Sequence, residues 1–108
     1  MTNIVNLTPH SVVIIRDASV GNVVIPASGQ VARVSVSSVQ DGDIDGIPVF
    51  VSKFGDVDGL PAPQDGTVFL VSTLVAGRVK DRDDIFVPND FVRDSDGRIV
   101  GCRSLGRL

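Results

Sequence analysis

Apolar residues fall in short runs along this chain, and turn-forming residues separate the runs. They lie at Ile4–Leu7, Ser11–Ile15, Asn22–Ile25, Val31–Val36, Ile47–Lys53, Thr67–Val71, Ile85–Val87, Phe91–Arg93 and Arg98–Cys102. Each run has the length of a strand, and the spacing predicts a β protein. Val31, Arg33 and Ser35 alternate in part with Ala32, Val34 and Val36, as a half-buried strand requires. Residues 26–29, PASG, read as a hairpin corner with Gly29 free to take positive φ. The clearest hairpin is RDSDGRIV at 93–100, where Asp96-Gly97 suits the primed turns that match strand twist. Residues 59–66, GLPAPQDG, form an irregular connection.

One stretch changes period. TVFLVSTLVAGRVKDRDD, 67–84, opens as a buried strand, after which Leu74, Val75, Arg78, Val79 and Arg82 recur at steps of three and four. Ser72 or Thr73 stands where an N-cap belongs, and Lys80 and Arg82 lie near the far end, where cations suit the helix dipole. Gly77 weakens such a helix by about 1 kcal/mol relative to Ala. The pattern predicts one helix of about two to three turns, packed on or beside the sheet.

Composition supports this reading. The 108 residues suffice for a single β-rich domain, 1–108, with one core. Twenty Val and eight Ile stiffen the backbone toward the pleated strand. All thirteen acids are Asp, which bonds its own backbone in turns, and none is the helix-favouring Glu. The expected fold is mainly β, a small barrel or sandwich of about seven to nine strands with one short α-helix. So many strand edges in so small a domain need cover, and pairing across a two-fold axis supplies it; a homo-oligomer is expected.

Charge narrows the partners. The net charge of −3 is uneven: residues 1–66 carry three bases and seven acids, residues 67–108 seven bases and six acids. Neither half has the dense positive field that duplex nucleic acid demands. With no Trp or Tyr and five Phe, a stacking platform for single strands is not expected either. The single cysteine, Cys102, allows no internal disulfide, MTNIVNLTPH lacks a basic leader, and no long apolar run occurs. A cytoplasmic protein that makes no membrane contact is the expectation.

Five Asp-Gly pairs begin at Asp41, Asp45, Asp58, Asp65 and Asp96. In VQDGDIDG, Asp41, Asp43, Asp45 and Gly46 match the first half of a calcium loop. The twelfth position falls on Ser52, which cannot supply the bidentate carboxylate. Turns are therefore the reading, with no metal and no cofactor. His10, the lone histidine, follows Thr8-Pro9; it is a candidate acid or base, against a corner residue that bonds nearby backbone. His10 and Cys102 alone lack the ligands for zinc. Cys102 sits among Arg98, Arg103 and Arg107, which favour a thiolate, yet a single cysteine on a strand is usually a small core residue. No G-x-S-x-G elbow and no glycine-rich phosphate loop is present. The best candidate site is the strand-to-helix junction at Ser72 and Thr73, whose hydroxyls and free N–H groups suit an anion. Arg33, Arg78, Arg93, Arg98 and Arg103 are available to clamp it, and ordinary N-capping is the competing account of the two hydroxyls.

NLTPH at 6–10, IPASGQVARV at 25–34, FLVSTLVA at 69–76, RDDIFVP at 82–88 and VRDSDGRIVGCR at 92–103 together carry a resemblance. Nearly the whole chain resembles a family of small, uncharacterised proteins of bacteria, actinobacteria especially, and of their phages and prophages. The resemblance implies a short intracellular protein with a mobile element as candidate source, and it carries over no catalytic residue. From the residues themselves, the expected site joins His10, Ser72, Thr73, Arg33, Arg98 and Arg103. The expected function is an accessory, counter-defence binding protein for an anionic small ligand such as a nucleotide, or for a protein partner. The alternatives are a small phosphoester hydrolase using His10, and a virion or assembly component.

Overall fold

The β-branched runs become strands whose register brings distant parts of the chain together. The computed structural model describes residues 2–108. In chain order the elements are β1 (Asn3–Asn6), β2 (Val12–Ile14), β3 (Val23–Ile25), β4 (Arg33–Ile44), β5 (Ile47–Asp58), β6 (Thr67–Leu70), α1 (Thr73–Ala76), β7 (Ile85–Arg93) and β8 (Ile99–Gly106). Six of them form one sheet in the order β1-β6-β7-β8-β2-β3. The sheet curls until its ends nearly meet, where a bridge links Asn6 to Ala27 and Ala32 N–H donates to the Leu7 carbonyl at 3.0 Å. The result is a nearly closed six-strand barrel with an added hairpin and one short helix, mainly β as expected. Leu7, Ala32, Phe69, Val71, Val75, Ala76, Ile85 and Val87 fill its core. Among the described residues no helix is long and apolar enough to cross a membrane.

The seam depends on a polar side chain inside. Asn6 is 1% exposed, and its Nδ2 donates to the carbonyls of His10 (2.9 Å) and Ile25 (3.0 Å). Its Oδ1 accepts from Thr8 N–H (2.9 Å) and Thr8 Oγ1 (2.6 Å), while that hydroxyl also lies 2.9 Å from the His10 carbonyl. One carboxamide therefore ties the end of β1 to β3 and folds NLTPH into a corner.

The helix is shorter than its period predicts. α1 is one turn, capped by Ser72, whose side chain accepts from Val75 N–H. Beyond Gly77 the chain takes tight turns, Arg78 N–H to Val75 carbonyl and Val79 N–H to Ala76 carbonyl. Lys80 and Arg82 consequently lie past the helix end. β6 and β7 are parallel neighbours, so the chain must cross over between them, and an irregular return completes the crossing. Arg82 fixes that return. It forks onto Asp84 at 2.7 and 3.0 Å and donates to the Pro61 carbonyl at 2.9 Å.

Two predicted runs, Ile85–Val87 and Phe91–Arg93, are a single strand. β7 continues through Pro88, which lies opposite Leu105 of β8. Its other neighbour, β6, pairs only as far as Phe86, so the missing N–H of Pro88 breaks no ladder there. The 93–100 hairpin is present, but Asp96-Gly97 is not a primed turn. Asp94 N–H bonds the Arg98 carbonyl, Gly97 N–H bonds the Asp94 carbonyl, and only Gly97 takes positive φ, at 81°. That pattern is a three-residue loop ending in a left-handed glycine. The two-residue turn with both central φ positive lies at Asp45 (51°) and Gly46 (85°).

That turn ends a feature the apolar pattern misses. β4 runs on through Ser37–Ile44 and pairs with β5 as a separate two-stranded ribbon, hereafter the arm. At its base, Val34 and Val57 pack on the core and the Arg78 guanidinium lies 4.8 Å from the centre of the Phe54 ring. Beyond the base it stands in solvent.

Two stability measurements follow from these contacts. Asn6→Leu strands the buried Ile25 carbonyl and the Thr8 N–H and takes one donor from the His10 carbonyl, so urea denaturation should read a loss of about 2–3 kcal/mol; Thr8→Val should cost about 1. The Arg82 fork holds the Asp84 carboxyl below its ordinary value of 3.8, chiefly by hydrogen bonding. A depressed carboxyl contributes stability above its unfolded value and loses it as pH falls through the folded one. Arg82→Gln should therefore destabilise by on the order of 1–2 kcal/mol at neutral pH. The gap to the parent should narrow as melts are taken progressively below pH 3.8, since only the Asp84 part of it titrates.

Candidate functional site

The NLTPH corner separates two surfaces. On one side Thr8 and Pro9 join Arg33, Val34, Ser72 and Leu74 around an open cleft of about 290 Å3. β4 brings Arg33 to this cleft, and the end of β6 brings Ser72. Ser72 and Arg33 are exposed, and among the described residues the Arg33 guanidinium has neither an ion-pair nor a hydrogen-bond partner. The Ser72 hydroxyl already accepts from Val75 N–H at 3.4 Å, so it can still donate to an incoming oxygen. This cleft can hold one anionic group through a single guanidinium.

On the other side His10 and Ser11 open onto a groove of about 390 Å3, between β2 and the β7–β8 hairpin. Val12, Pro88, Phe91, Ile99 and Val100 give it an apolar lining. Cys102 also borders it, but is 1% exposed and opposite Phe91 on the paired strand, the setting of a small core residue. His10 does close its corner, though through its carbonyl; its imidazole is exposed and makes no hydrogen bond to the described residues. The expected bond from ring to backbone is thus replaced by one from Asn6 to the backbone of His10.

The six expected site residues are therefore distributed over several surfaces. Arg33 and Ser72 share the cleft, and His10 lies in the groove. Thr73 faces a shallow depression with Phe54, Gly77 and Arg78 at the foot of the arm. Arg98 and Arg103 flank the run Ile99–Cys102 that borders the groove, and Arg103 stands 3.9 Å from Asp90, both side chains exposed. The Asp-Gly pairs of 41–46 serve the backbone. Gly42, at φ 74°, sits in a register shift of the arm, and Asp45-Gly46 makes its turn. Among the described residues no three His, Cys, Asp or Glu side chains gather as metal ligands would.

Sequence reasoning passed over Asn6, whose signal was a polar residue between Val5 and Leu7 at the end of an apolar run. It also missed the tip pair Ile44 and Ile47, directly opposed across the arm's turn and 64% and 66% exposed. Compared with family models, curated proteins and solved structures, the chain matches none of them.

Proposed function

We propose that this chain is a small non-enzymatic binding protein that works as a homo-oligomer, with the arm as its protein-binding element. The carrying observation is the arm itself. A two-stranded ribbon is at best marginally stable alone in water. Here Val36, Phe50 and Phe54 lie on one face and Val39 and Val51 on the other, all exposed, so both faces present apolar side chains to solvent. The radius of gyration, 17.2 Å, exceeds the roughly 13 Å of a compact chain this long. The accessible surface, 7317 Å2, exceeds the roughly 5,800 Å2 expected for a monomer of 11.4 kDa. That excess is about twice the share each partner contributes to a standard interface. An oligomeric binder suits an accessory, counter-defence role or a place in virion assembly, the contexts the family resemblance suggests.

Light scattering over a concentration series tests this reading. The expected outcome is a mass above 11.4 kDa that falls toward one chain in Val39→Ser/Phe50→Ser. A single-chain mass at every concentration, with slow amide exchange along β4 and β5, would overturn it, because the arm would then be stable without a partner.

A second reading, an anionic small ligand such as a nucleotide, is favoured by the unpartnered Arg33 beside Ser72. Thermal melts with inorganic phosphate and a nucleotide panel should then reveal a stabilising ligand whose effect disappears in Arg33→Ala. No shift with any of them removes this reading. The hydrolase alternative would need Arg98 rather than Arg33 to assist His10, since the corner sets those two apart.

A further inference from the structure

The arm ends in an apolar pair set among acids. Ile44 and Ile47 face each other across the turn, and Asp41, Asp43 and Asp45 surround them with no base between 39 and 52. The barrel carries a counterpart. The groove beside His10 has Phe91, Ile99 and Val100 about half exposed on its wall. Its edge carries Arg93, opposite Ile99 in the hairpin register, and Arg98, which directly precedes Ile99.

The acids of that hairpin are partly occupied. Asp94 accepts from the backbone of Asp96 and Arg98, and Asp90 lies toward Arg103. Asp96 alone has no side-chain bond there. Arg93 spends one donor on the Gly97 carbonyl, and Arg98 has no side-chain partner among the described residues. The arm does not reach the groove of its own chain, since Ile44, Ile47 and Val100 all remain exposed.

We infer that the arm tip of one copy seats in the His10–Phe91–Val100 groove of a second copy, reciprocally, as a two-fold dimer. The inference rests on the oligomeric binder proposed above and names where its arm goes. Ile44 and Ile47 enter the apolar groove, and Asp43 meets Arg98 at the edge. The length is adequate: twelve-residue strands span roughly 40 Å, more than the width of a small barrel. The area is adequate too, because two reciprocal contacts would cover apolar surface that a compact monomer of this mass does not expose. Such an interface is isologous, with the same two patches used by both copies.

Charge reversal tests it without touching the core. Asp43→Arg and Arg98→Asp should each weaken dimerisation by roughly tenfold or more through like-charge contact. An equal mixture of the two variants should recover the parent's mass, because both of its contacts pair opposite charges. A second measurement uses disulfide trapping in a Cys102→Ala background, mixing Ile44→Cys with Val100→Cys under mild oxidant. A cross-linked heterodimer is expected from the mixture and from neither variant alone. A parent dimer with neither mixture recovery nor cross-link would overturn this placement while leaving the oligomeric reading intact. A parent that is a single chain at every concentration would overturn both.

Discussion

Three segments without a continuous ladder between them meet at the side chain of Asn6. A carboxamide offers two donors and an accepting oxygen, and all three kinds of contact are used: the carbonyls of His10 and Ile25 and the amide and hydroxyl of Thr8. Away from water such bonds are strong, and losing the one to Ile25 would leave a desolvated carbonyl. The neighbouring residues serve the same closure. Leu7 enters the core, Thr8 and Pro9 bend the chain, and His10 contributes its carbonyl. NLTPH is thus a clasp for the barrel, and its most chemically suggestive side chain, the imidazole, is the part the clasp leaves free.

The clasp also fixes the geography of the surface. Thr8 and Pro9 leave the corner on the side of Arg33 and Ser72, while His10 and Ser11 leave it on the side of Phe91 and Val100. Two residues adjacent in the chain therefore look onto different openings. A cleft with one free guanidinium and an apolar groove with cations at its edge have different chemistry, and they suit different occupants.

Strand positions were largely legible because a buried face imposes its period on the sequence. Where no face is buried, no period appears. Ser37, Ser38, Gln40, Asp41 and Gly42 carry loop chemistry, yet all lie within β4, because the arm is wet on both sides. The helical spacing of Val75 and Val79 was real, since both pack on the core, but spacing alone could not reveal that Gly77 ends the helix. The turn chemistry of Asp-Gly was read correctly in kind and assigned to the wrong pair. Asp45-Gly46 and Asp96-Gly97 are the same dipeptide, and the loop length around each decides which turn it makes. Of the expected site, Arg33 and Ser72 do converge, though nothing local to either predicts it. Their meeting is set by Ala32 bonding Leu7, a contact across 25 positions of sequence.

The uneven charge acquires a spatial meaning once the arm is seen. From Arg33 to Asp58 the arm carries five aspartates against one arginine and one lysine, whereas β7, its hairpin and β8 balance Arg93, Arg98 and Arg103 against Asp90, Asp94 and Asp96. The arm has two open strand edges, and open edges invite pairing with the arm of another copy. Tip-to-tip pairing, or arms lying side by side in the same direction, would crowd the three tip aspartates of each copy against those of the other. Like charges in close cross-strand positions are destabilising. Acids at the tip thus disfavour tip-to-tip association, and in the proposed dimer the cations beside the apolar groove make the barrel the more favourable surface. The same aspartates that make the turn and the bulge also govern what the arm avoids, which accounts for an arm that is apolar in its middle and acidic at its end.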